Sequence, residues 1–413
     1  MEGLKNYNVG GTIHVIINNQ IGFTTTPDRA RSGTYCSDVA KMINAPIFHV
    51  NGDSMESVAK TFAFAAEYRQ KFQKDVVVDL IGYRKMGHNE LDNPSFSQPL
   101  MYKIVHQTKP VRDKFREQLI SEGLEADKLD SIEAAQWAEL EDAYKASKTC
   151  KYAVEAWSNP TWEKIMEPTQ YGKVKDTGVD IDELTRIGIR IATLPADDKF
   201  HPSVVKIFND RLRSIQSGKG IDWGTAEALA FASLISEGYH VRLSGQDVER
   251  GTFSHRHAHV FYQDRDGCYV PINSVMPNAS GTRNFIASCS HLSEYAVLGF
   301  EYGYAATNPN TLCLWEAQFG DFANGAQIMI DTNVVSGETK WNVSHGLIML
   351  LPHGYDGNGP EHSSARLERF LQLSDASDMA PTEDITERHI MENTNIIVAN
   401  CSTAAQYFHL LRA

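Results

Sequence analysis

The chain has 413 residues, 42% of them hydrophobic and 22% charged, which allows a large buried core and two or three domains. A formal charge of −13 argues against nucleic acid or an anionic membrane as main partner, because either needs a clustered basic face. Cys36, Cys150, Cys268, Cys289, Cys313 and Cys401 show no regular spacing, which points to a reducing compartment rather than to a disulfide framework or a zinc site. No stretch reaches the ~18 apolar residues that span a bilayer, and residues 1–30 read as folded protein rather than as a basic leader.

Apolar β-rich runs at residues 12–17, 46–50 and 76–81 alternate with helical patterns, the rhythm of βαβ units around a buried parallel sheet. Asp53 is placed to cap a helix opening at Ser54-Met55-Glu56, with Glu56 as the reciprocal partner. Residues 104–217 read as a connecting region, charged and helical over 111–148, then broken by Pro160, Pro168, Pro195 and Pro202. A second α/β segment starts near Asp222, with helices expected at 225–237 and 294–305, strands at 240–243 and 311–315, and an apolar run at 346–351.

Asn18-Asn19-Gln20-Ile21-Gly22 follows the first strand directly, so amide side chains sit at its carboxyl end, where α/β sheets bind ligands. An Asn side-chain oxygen and a carbonyl two residues later suit magnesium; an Asn-rich turn that merely ends the strand is the plainer alternative. Tyr83-Arg84-Lys85-Met86-Gly87-His88-Asn89-Glu90 follows the third strand, where His88 either hydrogen-bonds a phosphate or is simply solvated.

Four further runs carry chemistry. Ser293-Glu294-Tyr295 opens a helix, where Glu294 would by default compensate the helix dipole, and Phe319-Gly320-Asp321-Phe322 follows a strand as core packing or as a stacking pair for a flat ring. His255, His257 and His259 alternate as on one face of a strand, yet without the acidic or thiolate partners of a metal site; Arg250, Arg256, His255 and His257 better suit binding a dicarboxylate or supporting the wall of a site. Gly357-Asn358-Gly359-Pro360-Glu361-His362 is a glycine-rich loop entering a helix at Ser363, bringing amides and an imidazole together, or it is a plain surface loop. No Gly-x-Gly-x-x-Gly follows a strand, which disfavours an NAD-binding oxidoreductase.

The run from Ile16 to Thr25, the Tyr-Arg-x-x-Gly-His-Asn-Glu loop, the element from Leu292 to Tyr304 and the run from Trp315 to Ala326 together resemble the thiamine diphosphate-dependent 2-oxoglutarate dehydrogenases, in the right order. The resemblance implies a transketolase-like thiamine diphosphate-binding fold, two parallel-sheet α/β domains joined by a helical linker and both truncated. Residues 1–105 would be the C-terminal part of the diphosphate and magnesium domain, 106–217 the connector, and 218–413 the aminopyrimidine-binding domain. Asn19 and Ile21 would hold Mg2+ and Gln20 would lie beside the cofactor. Glu294 would face the aminopyrimidine, across a subunit interface from the diphosphate domain, with Phe319 and Phe322 against the ring. His88 would lie near the diphosphate, His362 would handle the intermediate or acceptor, and His255, His257 and Arg250 the substrate. In that family a Gly-Asp element supplies another magnesium ligand about thirty residues before the double Asn, and this chain begins eighteen residues before Asn19; the expectation is an incomplete metal site.

The activity implied is oxidative decarboxylation of 2-oxoglutarate with reductive succinylation of a lipoyl group. The partners would be the dihydrolipoyl succinyltransferase, dihydrolipoyl dehydrogenase and a second copy of the chain, in the mitochondrial matrix or the bacterial cytoplasm. Glu249, His255 and Ala323 resemble the 2-oxoglutarate enzymes more than the 2-oxoadipate homologues. A non-catalytic piece that only associates with the complex is the alternative.

Overall fold

The computed structural model describes residues 3–151, 162, 176–276, 285–355, 358–375 and 394–413; Pro160, Pro168, Asp356 and Gly357 lie outside them. The chain divides into two compact units, one up to Tyr152 and one from Ala153 onward.

In the first unit β1 (Ile13–Asn18), β2 (Ile47–Asn51) and β3 (Val76–Ile81) form a parallel sheet in the order β1-β3-β2. β3 lies in the middle with Val76, Val77, Val78 and Asp79 buried, which is why it reads as an unbroken apolar run. The helix Met55–Phe72 covers one face, Ala65 and its neighbours Val58 and Phe62 packing on Val50, Val76 and Val78. Asp53 is not its cap: Ser54 is, without a side-chain bond to the helix. Asp53 instead accepts a 2.5 Å bond from Lys114, an ion pair that outcompetes the weaker cap, and Glu56 pairs with Lys60 one turn on.

In the second unit β4 (His240–Gly245), β7 (Phe285–Cys289), β8 (Thr311–Glu316) and β9 (Leu347–Leu350) form a parallel sheet in the order β7-β4-β8-β9, with a small antiparallel pair, β5 (Val260–Phe261) and β6 (Cys268–Tyr269), beside it. The helix Trp223–Ser236 is buried almost all round, as its nearly continuous apolar sequence requires. Helices Ile181–Ala192, Pro202–Ser217 and Ala404–Arg412 belong to this same packed unit. The prolines of the connecting region do not break these elements. Pro202 is the first residue of its helix, where its missing N–H costs nothing, and Pro195 lies past the end of the preceding one.

His255, His257 and His259 do not alternate on a strand. Ser254 and His257 have φ of 57° and 49°, left-handed values that break the period of two, and β5 begins only at Val260.

Candidate functional site

The second unit gathers its candidate residues at the carboxyl ends of β4, β8 and β9. Gly245 ends β4, and any Cβ there would overlap the Glu316 carbonyl oxygen at the end of β8. Gln246 follows and its Nε2 donates to Glu294 Oε1 at 2.7 Å. Glu294 is the first residue of the helix Glu294–Ala305, but Ser293 is the cap, accepting from the Ala296 amide. The Glu294 carboxylate is therefore released from capping and turned to Gln246. Gly325 lets a second loop pass over it, since a Cβ at that position would lie 3.1 Å from Glu294 Oε2.

Beyond β8 the chain turns at Gly320, whose N–H donates to the Pro352 carbonyl at 2.9 Å. A Cβ on Gly320 would stand 2.6 Å from Ala365 Cβ, so only glycine lets the loops after β8 and β9 meet. Their meeting assembles an aromatic cluster. Phe319 lies 5.9 Å from Phe322 and 4.7 Å from the His362 ring, both edge to face, and Phe322 lies 5.5 Å from His362. Phe253 joins from the loop after β4, 5.5 Å from Phe319 and 6.1 Å from His255. His362 ends a short turn, Pro360–His362, while the next helix is Leu367–Leu373; the helix expected at Ser363 is not there, so no helix N-terminus accompanies this imidazole.

Arg250, His255 and His257 have different surroundings. Arg250 is exposed and donates to the Gly251 and Thr252 carbonyls. His257 is buried, with Nε2 3.0 Å from the Ser254 carbonyl. Burial, and then the neighbouring guanidinium of Arg256 for His255 and of Arg211 for His257, holds both imidazoles below the usual histidine range. Arg256 does not face a ligand. It is buried and bonds Glu227 (2.5 and 3.0 Å), Glu316 (2.9 and 2.5 Å) and the Val248 carbonyl. Burial works against its charge, but the two carboxylates keep its pKa well above the ordinary value. Tyr407, on the C-terminal helix, donates to Glu227 at 2.8 Å.

Acidic partners for His255 therefore do exist. Among the described residues, Glu227, His255 and Glu316 bring possible ligand atoms within 4.8 Å of one another. Arg256 already occupies both carboxylates, so a cation would have to displace a buried bidentate guanidinium.

In the first unit the turn after β1 is tightly organised. Asn19 Oδ1 accepts from the Ile21 amide at 3.1 Å, and Gln20, at φ 62°, donates its side-chain amide to the Gly82 carbonyl at 2.8 Å. Phe23 of the same turn lies 4.8 Å from the His88 ring, and Gln98 donates to the Phe23 carbonyl at 3.2 Å. Asn19, Gln20, Ile21 and His88 thus share one end of this sheet. Gln246, Phe253, Glu227 and Glu316 went unread as site residues in the sequence; a Gln directly after a strand end is the one of these that carries a local signal.

Residues 1–155 match the dehydrogenase E1 component family, and residues 219–413 match the transketolase pyrimidine-binding domain. The 2-oxoglutarate dehydrogenase of Dictyostelium discoideum, named as mitochondrial, is 48% identical over all of this chain and 41% of its own length. A 2-oxoglutarate dehydrogenase E1 component of Brucella anthropi is 47% identical over 40% of its length, and a mouse 2-oxoadipate dehydrogenase E1 component is 45% identical over 44%. The chain belongs to the E1 family of the 2-oxo acid dehydrogenases and has their thiamine diphosphate-binding fold. It is a homologue of 2-oxoglutarate dehydrogenase E1, with 2-oxoadipate homologues similarly near, and spans about two fifths of the length of the curated relatives it matches. Among the described residues no helix is long and apolar enough to cross a membrane.

Proposed function

We propose that the protein decarboxylates 2-oxoglutarate oxidatively with thiamine diphosphate and Mg2+, passing the succinyl group to the lipoyl arm of a dihydrolipoyl succinyltransferase. Dihydrolipoyl dehydrogenase and a second copy of the chain complete the assembly, in the mitochondrial matrix or, in a bacterium, the cytoplasm. The observation that carries this reading is the Glu294–Gln246 pair beside the Phe319, Phe322 and His362 rings. A flat, donor-rich aminopyrimidine fits this set: aromatic edges and faces to pack on, one carboxylate, and buried His362 Nδ1 and Asp321 Oδ2 atoms without a protein partner.

Residues 1–105 are read as the C-terminal part of the diphosphate and magnesium domain, 106–217 as the connecting region and 218–413 as the aminopyrimidine-binding domain. Asn19 Oδ1 and the Ile21 carbonyl are hard oxygen donors that suit Mg2+. Both are neutral, so the ion's charge is balanced by the diphosphate, with Gln20 and His88 beside it. The bound cofactor supplies the electron sink for decarboxylation. The chain's own contribution is a carboxylate, Glu294, that holds a proton at the ring nitrogen, while Gln246 fixes its rotamer. His362 moves a proton at the acceptor side, and His255, His257 and Arg250 receive the second carboxylate of the substrate. The 45% identity to 2-oxoadipate enzymes favours a second substrate one methylene longer, a difference that a pocket discriminates by only ~1–3 kcal/mol.

Titration calorimetry of thiamine diphosphate with and without Mg2+ tests the reading, with decarboxylation of 2-oxoglutarate and 2-oxoadipate followed in parallel. The expected result is Mg2+-dependent binding and a preference for 2-oxoglutarate, with turnover reduced roughly 10²–10⁴-fold in Glu294→Gln. A folded sample that binds no thiamine diphosphate would overturn the proposal and leave the non-catalytic role.

A further inference from the structure

The segment that carries His255 and His257 lies outside the strand ladders and includes two left-handed residues, Ser254 and His257. A non-glycine residue holds that conformation only when its surroundings enforce it. The enforcement comes from behind the site. Arg211, on the helix Pro202–Ser217, sends Nη2 to the His255 carbonyl at 2.6 Å and to the Arg256 carbonyl at 2.9 Å. Its guanidinium packs on Phe208 with 5.0 Å to the ring centroid.

Three features separate Arg211 from an ordinary structural arginine. It is buried, with 7% exposure. Among the described residues no carboxylate lies within ion-pair distance of it, and its side-chain bonds go to two neutral carbonyls. Burial depresses its pKa, so the charge is held at a cost that an apolar side chain of similar volume would avoid. The backbone it grips is also confined from the other side, because a Cβ on Gly224 would overlap the His255 carbonyl oxygen and come within 3.2 Å of Arg211 Nη2.

We propose that Arg211 is a positioning residue that fixes the backbone of residues 255–256 and thereby aims the His255 and His257 imidazoles at the substrate. What those imidazoles receive rests on the proposed function above; the grip on their backbone does not.

The test uses Arg211→Met and the conservative Arg211→Lys in the protein with 13C-labelled histidine. Three quantities are read: the His255 and His257 ring Cε1–Hε1 resonances, KM and kcat for 2-oxoglutarate, and thiamine diphosphate affinity. In Arg211→Met both resonances are expected to shift or broaden and KM to rise roughly tenfold. On the same grounds kcat should stay within about threefold and cofactor affinity within about twofold. Arg211→Lys should show the same changes at smaller amplitude, because a point ammonium does not span two carbonyls as a planar fork does. A merely structural role would lower thermal stability and leave resonances and KM where they were; that pattern in folded Arg211→Met, or in Arg211→Lys should the methionine variant not fold, overturns the proposal. Resonances that move in a protein without 2-oxo acid turnover would uphold the positioning and sink the functional reading instead.

Discussion

Replacing Glu301 with Gln should destabilise the second unit and weaken its site together. Arg242 on β4 and Glu301 on the helix Glu294–Ala305 form a bidentate pair at 2.7 and 2.8 Å, with side chains 3% and 0% exposed. Cys313 lies against it, Sγ 3.3 Å from Glu301 Oε2, and Arg242 stacks over Tyr304 at 4.6 Å. Glu301→Gln preserves volume but removes the carboxylate that Arg242 bonds bidentately in the core, and breaking such a pair costs about 3–5 kcal/mol. The retained amide oxygen still accepts one bond, so the lower end applies. For a unit of this size each kcal/mol lowers Tm by about 2–4 °C, hence a fall of roughly 6–12 °C by calorimetry. The pair also ties β4, which delivers Gln246, to the helix that begins with Glu294, so cofactor affinity should fall with Tm. Replacing both partners, Arg242→Met with Glu301→Leu, should recover most of the stability, because two apolar groups leave no charge stranded. A single variant costing under about 1 kcal/mol, or a double variant as damaged as the single, would refute the reasoning.

Two other outcomes follow from buried ionisable groups. Burial, together with the adjacent Glu301 carboxylate, pushes the Cys313 thiol up, and burial raises Cys289 as well, whereas Cys150 is exposed; iodoacetamide should label Cys150 in the folded protein and Cys313 only on unfolding, as mass spectrometry of timed samples will show. Burial also depresses the pKa of His345, which lies 3.0 Å from the Val334 carbonyl through Nε2 and accepts from the Leu347 amide through Nδ1. The unfolded chain takes up its proton first as pH falls below about 6.5, so stability is complete above that pH and declines toward the folded-state pKa. Urea midpoints should be lower at pH 5.5 than at 7.5, and His345→Gln should flatten part of the difference.

Much of the fold was legible because both sheets are parallel. β3 and β8 lie inside their sheets and read as buried apolar runs, β1 reads as one although it is an edge strand with Val15 and Ile17 exposed, and the helix Glu294–Ala305 begins and ends where its cap and periodicity place it. β7 was not legible: Phe-Ile-Ala-Ser-Cys, five residues long, carries neither alternation nor a sustained apolar run. Helices Ile181–Ala192 and Pro202–Ser217 were hidden by prolines that terminate or initiate helices as readily as they break them. Asp53 was misread because the cap it could form competes with Lys114, a partner 61 residues away.

The site shows the same limit more sharply in the loop after β4. Arg250 and Arg256 look interchangeable in sequence, both basic and both beside histidines. One stays exposed; the other is buried because Glu227 and Glu316, 29 and 60 residues away, meet it there. At Arg256 two carboxylates offset the cost of burying the charge, so the roles of Arg250 and Arg256 are separated by long-range placement that no local pattern encodes. The same residues explain why the histidine spacing misleads. A period of two signals a strand only if the backbone is extended, and here left-handed Ser254 and His257 redirect the rings. That conformation persists because Arg211, Arg256 and the missing Cβ of Gly224 hold the backbone from behind. Exposed Arg250 and buried Arg256 and His257 therefore share one short segment, and motif resemblance identifies the segment without separating them.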